Sequence, residues 1–264
     1  MKIWIIRHGD PDYVHDSLTE KGLKQAELLA HVLASYPFDE IYLSPLGRAQ
    51  KTAEPFLRLT GRKANGVLPW LKEAPWVWDR LPRLWTNDPL CYDPRKWIEA
   101  PEMEALGKKE EYELIEKNFY EFMAERGYAK EGNHFKTNGE KNERSVLFFC
   151  HLGIGSFLLS RLIHVSPAVM WQNFFLAPSS ISLAQTEEVE PGSALFRIRE
   201  AGALPHLEGH PELRSEAGAF RESAQSIGRW ERQEKVANAD YWAGAKKTGN
   251  NPVFLHLPAS PLAS

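Results

Sequence analysis

Cysteine is scarce in this chain, which has two among its 264 residues, Cys91 and Cys150. Two cysteines are too few for a disulfide scaffold, so a hydrophobic core must hold the fold, and the cytosol is the expected compartment. The sequence also lacks an apolar run long enough to cross a bilayer. The short run after Lys2 is interrupted by Arg7, so we expect neither a secretory leader nor a membrane anchor.

An excess of charge of one sign is also missing. Lysine and arginine total 32 and aspartate and glutamate total 35, for a formal net charge of −3. This balance gives no reason to expect nucleic acid or an anionic membrane as a partner. The chain contains no G-x-x-x-x-G-K-[ST] loop, which excludes a P-loop nucleotide site.

The sequence alternates short apolar runs with segments in which apolar residues recur at helical spacing. Strands are predicted at residues 2–6, 41–43, 67–71 and 146–150, and helices at 19–35, 47–59, 109–126 and 154–163. Two last strands, at 181–185 and 195–199, are expected to form a hairpin at the sheet edge. The alternation predicts an α/β fold, a three-layer sandwich whose mostly parallel central sheet carries helices on both faces.

Two segments break this alternation. Residues 74–107 are rich in tryptophan and proline and are predicted to form a cap-like insertion, whereas residues 127–144 are polar and predicted to be loop. The main domain is predicted to span 1–209. Residues 210–264 form a C-terminal extension that packs on the domain or reaches a neighbouring copy, so a homo-oligomer through this extension is one option.

Cationic and imidazole side chains are predicted to meet at one edge of the sheet. Arg7-His8-Gly9 follows the first strand, Arg48 lies in the first turn of the second helix, and His151-Leu152-Gly153 follows a later strand. In open α/β sheets, ligands bind at the carboxyl ends of the strands. Two arginines, two histidines and helix N-termini suit a phosphate dianion.

These motifs together resemble the histidine phosphatase superfamily, the phosphoglycerate mutase-like family. The resemblance covers roughly residues 1–206 in order. The stretches that match are Arg7-His8-Gly9, Leu18-Thr19-Glu20-Lys21-Gly22, Ser44-Pro45-Leu46-Gly47-Arg48-Ala49-Gln50-Lys51-Thr52-Ala53 and His151-Leu152-Gly153.

The resemblance implies a phosphoglycerate mutase-like fold and a role for each matching residue. His8 would be the nucleophile that becomes phosphohistidine, with its second ring nitrogen held by a backbone carbonyl near Gly9. Glu73 would be the proton donor. The phosphoryl oxygens would be bound by Arg7, Arg48 and His151, with Gly9 and Leu152 as further substrate-binding positions. The resemblance implies no metal and no other cofactor.

The function so implied is a phosphoric monoester hydrolase that acts on a small phosphorylated metabolite. Pro11 and Val14 stand where the mutases carry serine or threonine and then asparagine, and Leu152 replaces the first glycine of their histidine-glycine-glycine. These departures count against a phosphoglycerate mutase. Mutase-type transfer and a non-catalytic phosphate-binding scaffold remain as alternatives. The tryptophan-rich insertion suggests a substrate with an apolar or planar part.

Three local alternatives also stay open. The proton donor could be Asp79, Asp88 or Glu102 instead of Glu73. Cys150 suggests a cysteine phosphatase, but that chemistry needs an arginine six places on, where this chain has Ser156. His206 and His210 could bind a metal, although the prolines beside them argue against the helix that would pair them.

Overall fold

The computed structural model describes residues 1–74, 88–105, 107–140 and 142–219. The strands in these ranges are β1 (Lys2–Arg7), β2 (Pro11–Asp12), β3 (Ser17–Leu18), β4 (Glu40–Leu43), β5 (Gly66–Val67), β6 (Ala129–Glu131), β7 (His134–Lys136), β8 (Ser145–Cys150), β9 (Ile181–Glu190) and β10 (Ser193–Ala203). The α-helices are α1 (Glu20–Leu33), α2 (Gly47–Thr60), α3 (Pro101–Ala105), α4 (Lys109–Ala124), α5 (Leu152–Leu162) and α6 (Pro167–Asn173).

The central sheet is mixed, with the strand order β5-β4-β8-β1-β9-β10-β7-β6 in the described part of the chain. The pairs from β5 to β1 are parallel, and those from β1 to β6 are antiparallel. In the parallel half, Arg7 lies opposite Cys150, and Leu43 lies opposite Phe149. Strands β1, β8 and β4 therefore end at the same level. The predicted meeting of Arg7, His8 and His151 at one edge of the sheet requires this register.

Alternate residues of β1 enter two separate cores. Ile3 and Ile5 belong to the core that α4 and α5 cover, whereas Trp4 and Ile6 belong to the core that α1 and α2 cover. A strand buried on both faces reads as a continuous apolar run, which is why β1 was visible in the sequence. The predicted α/β architecture, with helices on both faces of the sheet, is confirmed.

Helix positions agree with the sequence to within two residues at each end. Thr19 caps α1 by accepting a hydrogen bond from the amide of Gly22 at 3.1 Å, as expected of a threonine at that position. Helix α2 ends on Gly61 in the left-handed conformation, a common helix stop. Helices α3 and α6 have no counterpart among the predicted elements.

One loop prediction and one strand prediction were wrong in part. Residues 127–144, predicted as loop, contain the hairpin β6–β7, and its Phe135 is fully buried. The third strand, predicted at 67–71, is limited to Gly66–Val67, and Pro69–Leu71 form a turn of 3₁₀ helix. Proline has no amide hydrogen to give to a sheet, so the strand stops before it.

The described part of the insertion packs into the core. Trp97 is 3% exposed and contacts Tyr112 edge to face, with ring centroids 5.1 Å apart. It therefore supports the fold. Trp76, Trp78 and Trp85 lie outside the described residues, as do residues 220–264 of the extension, and the domain boundary at 209 stays a prediction. Within the described ranges, no helix has both the length and the apolarity that a membrane span needs.

Candidate active site

Three strand ends bring the predicted residues together. The amide of His8 donates to the carbonyl of Cys150 at 2.9 Å, and the amide of Ser44 donates to the carbonyl of Phe149 at 2.9 Å. These bonds continue the parallel ladder one residue past the strands. The rings of His8 and His151 consequently lie side by side, with centroids 5.1 Å apart.

His8 is held in one tautomer by the backbone. Its Nδ1 lies 2.7 Å from the carbonyl oxygen of Gly9, and a carbonyl only accepts, so Nδ1 carries the proton and Nε2 keeps its lone pair. Burial, and then the cations of Arg48 and Arg7, hold the pKa of His8 well below its usual range. The imidazole is therefore neutral near pH 7, with Nε2 available as a nucleophile.

Gly9 is required by a close approach of the backbone. A side chain at this position would place its Cβ 2.9 Å from the carbonyl oxygen of Gly22, in the first turn of α1. The Gly9 amide donates to Oγ1 of Thr52 at 2.9 Å, and that hydroxyl donates to the carbonyl of Arg48 at 2.8 Å. Gly9 thus ties the end of β1 to α1 and α2 together.

Arg48 is fixed by a carboxylate that also binds the start of α2. Its Nη1 donates to Oδ1 of Asp16 at 2.7 Å, and the amide of Gly47 donates to Oδ2 of Asp16 at 2.6 Å. Asp16 has a φ of 45°, a left-handed conformation that aspartate tolerates better than most residues. The ring of Tyr13 lies 5.4 Å from the guanidinium carbon of Arg48, so the loop after β2 holds this arginine from two sides.

Arg7 is almost fully buried and is held by backbone carbonyls. Its Nη1 donates to the carbonyl of Leu176 and its Nη2 to that of Ala217, each at 2.7 Å. Burial lowers the pKa of Arg7 from its ordinary value, while nearby Tyr13 and Glu73 raise it. Carbonyls carry no net charge, so the positive charge of Arg7 remains available to an anion.

His151 stands directly before α5 and contacts the end of β4. Its Nε2 lies 2.7 Å from Oγ of Ser44, and Nδ1 is buried without a hydrogen-bond partner in the part of the chain described. Burial, and then the cations and imidazole around it, hold the pKa of His151 well below its usual range. Leu152 opens α5, so its amide is among those that helix geometry leaves without an internal acceptor.

Glu73 reaches the same helix start. Its Oε1 accepts hydrogen bonds from the amides of Ala74 at 2.9 Å and Ile154 at 3.0 Å. A Cβ at Gly153 would lie 2.7 Å from that oxygen, so the glycine leaves room for the carboxylate. The structure thus places Glu73 beside Ile154, which lies three residues after His151, at an end of α5 that favours negative charge.

The other candidate residues have different surroundings. Asp88 caps a 3₁₀ turn by accepting from the amide of Leu90 at 2.8 Å, and Asp79 and the Glu102 side chain lie outside what the structure describes. Burial raises the pKa of the Cys150 thiol, which makes it a poor nucleophile.

His206 and His210, which were weighed as metal ligands and argued against, have separate partners. Nε2 of His206 lies 2.9 Å from Oγ of Ser179, and Nδ1 of His210 lies 3.4 Å from the carboxylate of Glu212. Across the described ranges, no group of three or more His, Cys, Asp or Glu side chains could hold a metal ion.

Several contacts around the site were missed by sequence reasoning. Thr52 could have been found, because it lies one helical turn after Arg48. Asp16 and Ser179 both have positive φ, a backbone conformation that cannot be predicted from their residue types. The Ser179 amide donates to the carbonyl of His8 at 2.9 Å and so holds the backbone of His8 from the β9 side.

Known proteins resemble this chain in sequence. A family model described as histidine phosphatase superfamily (branch 1) matches residues 3–198. The adenosylcobalamin/alpha-ribazole phosphatase of Salmonella typhimurium is 26% identical over 184 residues, which cover 65% of this chain and 84% of that protein. The Escherichia coli protein of the same name is 27% identical over 184 residues, which cover 65% and 83% respectively.

A solved structure shows the same fold. The crystal structure of a phosphoserine phosphatase mutant from Entamoeba histolytica, in complex with phosphoserine, superposes with a TM-score of 0.51 and 18% identity, and covers 78% of this chain and 98% of that one. The matched family model spans most of the chain and includes the segments that carry Arg7, His8, Arg48 and His151. The chain therefore belongs to the histidine phosphatase superfamily.

Proposed function

We propose that this protein is a metal-independent phosphomonoesterase that hydrolyses a small phosphorylated metabolite through phospho-His8. The observation that carries the proposal is the state of His8. It is a neutral imidazole with its proton fixed on Nδ1 by the Gly9 carbonyl, next to two arginines and a second imidazole. That arrangement supplies both a nucleophile and a site for a phosphate dianion.

In the first step, Nε2 of His8 attacks the phosphorus atom in line with the ester oxygen. The Nε2–P bond forms as the P–O bond to the alcohol breaks. Arg7, Arg48 and the Nδ1 side of His151 bind the non-bridging oxygens, with the Leu152 amide and the backbone at Gly9 beside them, and stabilise their charge in the transition state. Glu73 gives its proton to the leaving alcohol.

In the second step, water attacks the phosphorus of phospho-His8. The carboxylate of Glu73 takes a proton from that water, the new P–O bond forms, and the Nε2–P bond breaks. Inorganic phosphate leaves and His8 returns to the neutral tautomer. The Gly9 carbonyl holds the Nδ1 proton throughout, so the ring does not rotate between steps.

The position of Glu73 favours an enzyme over a phosphate-binding scaffold. A scaffold needs the cationic pocket but no proton donor, and here a buried carboxylate lies at the helix start that follows His151. The relatives named above are phosphatases, which favours water over a second substrate as the final acceptor. Their names also suggest esters of α-ribazole and phosphoserine as compounds to test.

The test is a phosphate-release screen with purified protein. The panel contains α-ribazole phosphate, phosphoserine, a phosphoglycerate, a nucleotide and an aryl phosphate. We expect turnover of at least one ester without added metal, and loss of turnover in His8→Ala. His15→Ala is the matched control, because the His15 side chain is 74% exposed.

Two results would decide against the proposal. Turnover that survives His8→Ala would exclude phospho-His8 as the intermediate. Transfer of the phosphoryl group to a second phosphoglycerate molecule, with no phosphate released, would show a mutase instead.

The same screen tests the substrate class. A preference for small acidic phosphates over aryl and nucleotide phosphates would exclude the apolar or planar substrate that the tryptophan-rich insertion suggests.

A further inference from the structure

The chain returns to the catalytic edge after the sheet is complete. Residues 213–218, which we call the C-terminal strap, lie against α1 and the loop that follows His8. Gln25 donates its Nε2 hydrogen to the carbonyl of Leu213 at 2.6 Å, and Lys21 donates to the carbonyl of Arg214 at 3.4 Å. The hydroxyl of Ser215 donates to Oδ1 of Asp10. The strap is thus attached at three successive residues.

The end of the strap is a tight turn. The amide of Ala219 donates to the carbonyl of Glu216 at 2.8 Å, and Gly218 has a φ of 82°, the value that a type II turn requires at its third position. The Ala217 amide donates to Oγ of Ser215 at 3.2 Å. The carbonyl of Ala217 takes no part in the closing bond of the turn, and it is this carbonyl that accepts from Arg7.

The two carbonyls that hold Arg7 accept from its two terminal nitrogens, and the side chain of Tyr13 also interacts with the guanidinium group. Leu176 binds Nη1 and Ala217 binds Nη2, whereas Nε is buried without a hydrogen-bond partner among the described residues. A guanidinium group is planar, so fixing both terminal nitrogens fixes its orientation. A buried donor without a partner is uncommon in native proteins and points to a ligand that satisfies it.

We propose that the strap completes the phosphate pocket, with the Ala217 carbonyl as a positioning group that directs the Nε edge of Arg7 at the phosphoryl oxygens. This inference rests on the proposed function. It makes residues far along the chain from the Arg7-His8-Gly9, Arg48 and His151 motifs part of the site, and it gives the start of the C-terminal extension a role in binding substrate. Because the carbonyl is uncharged, it orients Arg7 without neutralising it.

Gly218 provides the test. A Cβ at this position would lie 3.0 Å from Nη2 of Arg7 and 3.4 Å from Cδ2 of Leu152, so Gly218→Val pushes the turn away from Arg7. Gly209→Val is the matched control, because Gly209 has the same φ of 82° and nothing within 4 Å of its would-be Cβ. Both variants carry the same backbone strain, but only Gly218→Val places new side-chain atoms against Arg7.

The measurements are the Kd of inorganic phosphate by calorimetry, and kcat and KM for the best ester in the full-length protein. In Gly218→Val we expect both Kd and KM to rise about tenfold, roughly 1.4 kcal/mol in binding, with a smaller change in kcat. Gly209→Val should match the wild type. Ser215→Ala removes the hydrogen bond to Asp10 and the one from the Ala217 amide, so it should also raise the Kd of phosphate. This second variant tests the proposal if Gly218→Val does not fold.

Unchanged phosphate affinity in Gly218→Val and Ser215→Ala would overturn the proposal. Tighter phosphate binding would overturn it too, since it would mean that the Ala217 carbonyl competes with phosphate for Arg7. Phosphate binding does not depend on turnover, so the two proposals fail separately. A wild type that binds phosphate but hydrolyses no ester would defeat the proposed function and leave the strap's role measurable.

Discussion

The hydroxyl of Ser44 lies 2.7 Å from Nε2 of His151 and links the end of β4 to the start of α5. The same oxygen accepts the amide of Leu46 at 3.2 Å. A hydroxyl proton directed at Nε2 leaves the imidazole proton on Nδ1, the buried nitrogen that has no hydrogen-bond partner among the described residues. His151 would then donate to a phosphoryl oxygen.

Ser44→Ala should therefore weaken catalysis without unfolding the protein. Loss of the hydroxyl leaves Nε2 of His151 unpaired and its tautomer free, and the loss of one buried hydrogen bond of this kind costs about 1–2 kcal/mol, or roughly a tenfold fall in kcat/KM. Ser156→Ala is the control, because Ser156 is equally buried and its hydroxyl has no partner in the described part of the chain. Equal kinetics in the two variants would contradict the role given to Ser44.

Glu73→Gln should lower kcat about 100-fold, which is the lower end of the rate effects that follow the loss of a general acid–base group. The amide oxygen of glutamine can still accept from Ala74 and Ile154, so the melting temperature should change little. With 4-nitrophenyl phosphate, whose leaving group needs no proton, the first step should proceed and phospho-His8 should accumulate. A kcat within about threefold of wild type for an alkyl ester would place the proton donor elsewhere.

Gly9→Ala should destabilise the fold by about 1–3 kcal/mol, the usual cost of overpacking. The added Cβ would lie 2.9 Å from a backbone oxygen of Gly22, which cannot move aside without shifting α1. The measurement is the midpoint of urea unfolding. Gly66→Ala is the control, since its Cβ would meet the ring of Tyr42 at an ordinary 3.7 Å, and a similar loss of stability in both variants would refute the steric argument.

Acid should weaken the fold through buried histidines. Burial lowers the pKa of His206 to about 4, while in the unfolded chain it titrates near 6.5. Between these values the unfolded state binds the proton and the folded state does not, so the free energy of unfolding falls as the pH drops from about 6.5 towards 4. For His206 alone the loss at pH 5 is about 2 kcal/mol.

His206→Gln should remove that part of the acid sensitivity, because glutamine can still bond to Ser179 and does not titrate. Urea unfolding at pH 7.5 and pH 5 measures the effect, with the exposed His31→Gln as control. An identical pH dependence in wild type and His206→Gln would show that His206 does not cause the acid loss.

The local sequence was enough to locate the elements that carry the site. Arg7-His8 follows a run that is apolar on both faces, Arg48 lies one residue into a helix, and His151 precedes an apolar helix. Each of these statements depends on neighbours along the chain. These local patterns were sufficient to predict the α/β fold and to predict that these side chains lie at one edge of the sheet.

The hairpin β6–β7 could not be found in the same way. It is polar and short, and pairing of β7 with β10 makes it part of the sheet. Phe135 is the one fully buried residue in it, too little for a period-two pattern. Pairing partners in a sheet are set by tertiary contacts, which a segment's own composition does not encode.

By itself the sequence determined where the candidate side chains lie, since Arg7, His8, Arg48 and His151 each follow or open a recognisable element. Tertiary structure decided how those side chains are held. Asp16 reaches Arg48 from a loop, and Ala217 reaches Arg7 from 210 positions away. The second contact is made by a backbone carbonyl. Every residue has such a carbonyl, so only the folded path of the chain can select the one at Ala217.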